Sequence, residues 1–79
     1  MAAELWRLDN ENWTLYIDSK HDREIKNIKR SRDWQITATY QKNEKIIGLQ
    51  WRIPNADYRK AKRIEKRVNY SVHKTEESA

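Results

Sequence analysis

The sequence predicts one small α+β domain in the order ββαββα: a four-stranded antiparallel sheet with two basic amphipathic helices on one face. Three observations lead there. Four segments alternate apolar and polar residues with a period of two, the mark of half-buried strands. Two further segments repeat their apolar residues at helical spacing and crowd Lys and Arg on the opposite side. The polar turns Asp9-Asn10-Glu11-Asn12 and Lys42-Asn43-Glu44-Lys45 stand 33 residues apart, each inside a hairpin that leads into a basic helix. The halves therefore read as a loose architectural duplication, and adjacent hairpins pairing edge to edge give the simplest sheet.

Glu4 to Leu8 is a short first strand, with Trp6 and Leu8 on the parity expected to be buried. After the first turn, Trp13, Leu15 and Ile17 alternate against Thr14 and Tyr16, which completes a hairpin whose turn has no glycine. Ser19 with Asp22 three residues on makes a weak capping box for a helix from about Lys20 to Ser31. His21, Ile25, Ile28 and Arg32 share its inner stripe, so it docks partly through a ring and an arginine stem. Trp34 to Gln41 is the third strand, with Trp34, Ile36, Ala38 and Tyr40 on one side.

The fourth strand is the most apolar, carrying Ile47, Leu49, Trp51 and Ile53 on one parity until Pro54 ends it. Gly48, the single glycine, lies inside this strand and predicts a bulge or a close backbone approach. Asn55 is the expected N-cap of a second helix running to about Val68, with Ala61, Ile64 and Val68 inward. The compact domain is expected to occupy residues 1–73, with 74–79 a disordered polar tail.

Bulk properties narrow the function classes. Seventy-nine residues make one domain. With no cysteine there is neither a disulfide framework nor a thiolate site, and two histidines are too few for zinc. No metal or cofactor is expected. No apolar run reaches the roughly 20 residues of a membrane span, and the N-terminus MAAELWRL lacks a basic n-region and an apolar h-region. A cytoplasmic location follows as the default. All eight aromatics are Trp or Tyr, which suit half-buried positions and interfaces and make a homodimer through an open sheet face an expectation.

The charge is segregated. The net +5 divides into −3 over residues 1–19, +4 over residues 20–32, +1 over residues 33–55, +4 over residues 56–68 and −1 over the remainder. Two helices thus carry the whole positive excess, a directional field that suits a polyanion. The expected function is nucleic-acid binding, DNA or RNA, through the phosphate backbone, since clustered Lys and Arg gain from counterion release. Arg59, Lys62, Arg63, Lys66 and Arg67 are the primary candidate ligands, supported by Arg23, Lys26 and Arg30.

Two other classes compete with this reading, beside a plain solvated face. A basic face also fits an acidic protein surface. Compact, cysteine-free, highly charged chains of this length are typical of mobile-element and phage accessory proteins, so an inhibitor or adaptor is the first alternative. A small basic ribonuclease is the second, and would draw its acid or base from His21, His73 or Tyr70, which nothing in the sequence orients. No catalytic pattern is present, and an enzyme is not expected. An aromatic platform for single strands could draw on Tyr16, Trp34 and Tyr40, but the RNP pattern of glycines and aromatics is missing from a chain with one glycine.

Overall fold

The computed structural model describes the backbone of residues 2–78 and the side chains of residues 2–70. Strand β1 (Ala3–Arg7) and strand β2 (Asn12–Asp18) form the first hairpin, and helix α1 (Asp22–Ser31) follows. Strands β3 (Gln35–Lys42) and β4 (Lys45–Pro54) form the second hairpin, followed by a 3₁₀ turn (Asn55–Asp57) and helix α2 (Tyr58–Ser78). The sheet is antiparallel throughout, in the order β1-β2-β4-β3. Each hairpin places its second strand at the centre, so the two halves meet along β2 and β4.

The expected fold class needs correction in its helical part. The second helix does not open at Asn55 as a single element; among the described residues there are two α-helices and a separate 3₁₀ turn between β4 and the second of them. Asn55 is diverted from capping. Its side chain donates to the Asn10 carbonyl at 2.9 Å and its backbone N–H to the Glu11 carbonyl at 3.0 Å. That ties the first hairpin turn to the end of β4, and the chain makes a tight turn before α2 opens at Tyr58. The helix then continues past Val68 to Ser78. The expected disordered tail at 74–79 lies outside the residues whose side chains are described. At α1 the N-cap is His21, with no side-chain cap, in place of Ser19.

The core lies between the sheet and the two helices. Leu15, Ile17, Leu49, Trp51 and Ile53 from the central strands meet Ile25 and Ile28 of α1 and Ala61, Ile64 and Val68 of α2, all buried. The helices run antiparallel: Glu24 pairs with Arg67 near one end, and Arg32 and Lys60 share the furrow near the other. Beyond α1, Trp34 is buried and donates its indole N–H to Asp57 at 2.8 Å, which fastens the start of β3 to the 3₁₀ turn. At the opposite end, Asn69 acts as a substitute strand. Its amide accepts from Ala3 N–H and donates to Ala3 C=O, both at 3.0 Å, and so satisfies the outer edge of β1.

Two bulges change the parity read from the sequence. Ile36 pairs with Trp51 and Ala38 with Gln50, so Thr37 is an extra residue in β3. Trp34 and Ile36 therefore face the helix side, while Ala38 and Tyr40 face the other. Tyr40 pairs with Gly48 and Gln41 with Ile46, which makes Ile47 the extra residue of β4 and leaves it 41% exposed rather than in the core. Trp6 and Leu8 are also exposed, because Ala3 and Leu5 are the β1 residues paired with core positions Ile17 and Leu15.

Gly48 permits a close approach. A β-carbon there would lie 2.7 Å from Tyr16 Cζ, so the Tyr16 ring lies across the strand only because position 48 has no side chain. The β3–β4 turn places Asn43 and Glu44 at φ 53° and 67°, the two left-handed positions of a type I′ hairpin.

Candidate nucleic-acid interface

The cations on the helix layer divide into paired and unpaired sets. Lys26 reaches Asp22 at 2.9 Å and Lys62 reaches Glu65 at 2.8 Å, each about one turn away on its own helix, and Lys60 reaches back to Asp57 of the 3₁₀ turn at 3.6 Å. Arg67 crosses to α1 and grips Glu24 with two hydrogen bonds of 2.6 and 2.9 Å, the bidentate geometry of a strong pair. Donation to the Glu24 carboxylate, opposed by desolvation, holds the Arg67 guanidinium above the ordinary arginine range; donation to Glu65 raises the Lys62 ammonium in the same way. Three of the eight expected ligands, Lys26, Lys62 and Arg67, thus already neutralise a carboxylate of this chain.

The other five lack such a partner. Among the described residues, no carboxylate pairs with Arg23, Arg30, Arg59, Arg63 or Lys66, and all five are exposed. Arg30 only hydrogen-bonds the neutral Asn27 amide, at 2.7 Å. Helix geometry brings these five together. With Ile25 and Ile28 facing inward, Arg23 and Arg30 fall on the outer side of α1; with Ala61, Ile64 and Val68 inward, Arg59, Arg63 and Lys66 fall on the outer side of α2. The Glu24–Arg67 pair and the shared furrow set the two helices side by side, so both strips face outward on the same side of the sheet.

Two cations of this layer were missed by sequence reasoning. Lys60 and Arg32 line the furrow between the helices with Arg63 and Arg67. The inward stripe placed Arg32 as a packing stem, and its Cζ does lie 5.7 Å over the Trp34 ring. Its position at the helix C-terminus, where cations are favoured, was the available signal.

The opposite face of the sheet is open. Trp6, Tyr16, Tyr40, Ile47 and Gln50 line a shallow depression of about 320 Å³, with Glu4 on its edge. Tyr16 and Tyr40 meet edge to face at 5.8 Å, and Tyr40 donates to Gln50 at 2.9 Å. Burial first, then Asp18, raises the Tyr16 phenol above its ordinary range. Trp34, expected beside them, is on the helix side, and Trp6 stands in its place. The cationic face and the aromatic face are thus on opposite sides of the molecule.

Of the three residues named for catalysis, two have described side chains. Tyr70 is 67% exposed. His21 is half-buried at the start of α1, where its backbone carries the turn. His73 lies outside the residues whose side chains are described. No helix among the described residues is long and apolar enough to cross a membrane. No protein-family model matches this chain, no curated protein matches its sequence and no solved structure matches its fold. Its own residues therefore carry the functional reading.

Proposed function

We propose that this protein binds nucleic acid by its phosphate backbone, through the outer face of the helix layer. The observation that carries the reading is the set Arg23, Arg30, Arg59, Arg63 and Lys66: five exposed cations on two adjoining helices, with no carboxylate partner among the described residues. An unpaired surface cation that meets a phosphate releases counterions condensed on the nucleic acid, and the released ions gain entropy. A cation already bridged to a carboxylate gains less. The reading is of backbone contact, because an array of outward cations meets phosphates whatever the base sequence. A cytoplasmic setting belongs to the same proposal.

Charge reversal tests it. Replacing Arg59, Arg63 and Lys66 by Glu is expected to abolish binding to duplex DNA and to RNA at low salt. The matched reversal of Lys26, Lys62 and Arg67, which are already paired, is expected to weaken binding less. Equal losses from the two sets, or no loss from the first, would contradict the assignment.

A second reading rests on the open sheet face. Trp6, Tyr40 and Ile47 are exposed there beside Tyr16, and a face of that composition suits a protein partner, including a second copy of this chain. Self-association through it would present two cationic faces on opposite outer sides. Sedimentation of the wild type against Trp6→Lys separates a dimer, lost in the variant, from a monomer in both.

A further inference from the structure

We infer that the furrow between α1 and α2 is a binding site for one phosphate group. The furrow encloses about 130 Å³ and is lined on its polar side by Asn27, Ser31, Arg32, Lys60, Arg63 and Arg67. Its one carboxylate, Glu24, is occupied by Arg67 through both oxygens, so the lining keeps a positive excess. Arg32 Nε is buried and has no hydrogen-bond partner. A buried cationic N–H without an acceptor is uncommon in a folded protein, and the usual explanation is an ion or water that supplies the acceptor. Stacking near Trp34 holds the guanidinium in place at the furrow's end. Asn27 uses its oxygen to accept from Arg30, which leaves its amide N–H groups as donors.

Donors from both helices thus line a space whose nearest carboxylates are already engaged, Glu24 by Arg67 and Asp57 by Trp34 and Lys60. A tetrahedral oxyanion answers that arrangement: its several oxygens accept from Arg32 and Asn27 on α1 and from Lys60 and Arg63 on α2. The inference rests on the proposed backbone reading only for the source of the phosphate. Within that reading, the furrow fixes one phosphodiester group and the outer cations follow the strand on either side.

The test follows the Arg32 Nε–Hε resonance by nitrogen–proton NMR while inorganic phosphate is added, with sodium chloride at matched ionic strength as the control. Phosphate is expected to shift it saturably and chloride to leave it in place. Lys60→Gln and Arg63→Gln, both at exposed positions, should each raise the apparent Kd about tenfold, the loss of one charge-assisted hydrogen bond. Lys45→Gln, in the β3–β4 turn, should leave it unchanged. A linear response, or an equal one to chloride, overturns the site.

A short oligonucleotide and a nucleoside 5′-monophosphate, added in separate experiments, then identify the source. An oligonucleotide that shifts Arg32 and competes with phosphate supports both the site and the backbone reading. Saturation by phosphate or the monophosphate, with no response to the oligonucleotide, keeps the site and removes the backbone reading. Oligonucleotide binding that leaves Arg32 unmoved, with no saturable phosphate shift either, overturns the site and spares the backbone reading.

Discussion

Gly48 and Tyr16 form one unit, because the ring occupies the space that a β-carbon would need. In a central strand, Gly→Ala ordinarily gains a few tenths to about 1 kcal/mol from reduced unfolded-state freedom, whereas forcing a packed ring to move costs about 1–3 kcal/mol. The steric term wins here. Gly48→Ala is expected to destabilise by about 1–2 kcal/mol in the native background and to be neutral or stabilising with Tyr16→Ala; a double-mutant denaturation cycle measures the coupling. Asp57 makes a second residue-scale prediction. The Trp34 indole N–H, ahead of Lys60, holds its carboxyl below the ordinary aspartate range. A depressed folded value means that the stabilisation is present above the unfolded value and is lost as pH falls through the folded one. The stability gap between wild type and Asp57→Asn should therefore narrow below about pH 4. A gap that is constant from pH 6 to pH 3 would show that the ionised carboxylate adds nothing.

At the scale of elements, the helices are joined by the Glu24–Arg67 pair across their antiparallel seam. Arg67 is more than half exposed there, so solvent screening limits its worth to about 0.5–1 kcal/mol. Glu24→Gln should cost about that much in denaturant unfolding, yet tighten nucleic-acid binding by freeing a cation next to Arg63. Opposite signs for stability and affinity are the distinctive outcome; a fall in both would mean that the pair positions the helices for binding. The pairs within one helix, Asp22/Lys26 and Lys62/Glu65, were legible as spacings in the sequence. The pair between helices was not, since Glu24 and Arg67 are distant in sequence and meet only through the antiparallel packing. Strands were legible wherever strict alternation met a covered face, as at Leu15, Ile17, Leu49, Trp51 and Ile53. The reading failed where Thr37 and Ile47 each inserted an extra residue and reversed the parity beyond it. It failed again at Asn55, whose capping side chain is taken by a turn distant in sequence.

For the whole molecule, the sheet separates two surfaces of different chemistry: a helix layer with cations outward and an open sheet face with Trp6, Tyr16 and Tyr40. Segregation of charge along the sequence was enough to locate the first, because both basic segments were helical and both helices pack on one side of the core. Which cations remain available depends on pairing that only the folded chain defines. The measurement that tests the central claim most directly is the salt dependence of binding to a short DNA duplex, compared between wild type and Arg59→Gln/Arg63→Gln/Lys66→Gln. Each phosphate contact contributes a slope of about −0.9 in log K against log salt on B-DNA. A wild-type slope of roughly −4 to −6 is expected, reduced in magnitude by about 3 in the triple variant. No binding at low salt, or a slope unchanged by the three substitutions, would contradict it.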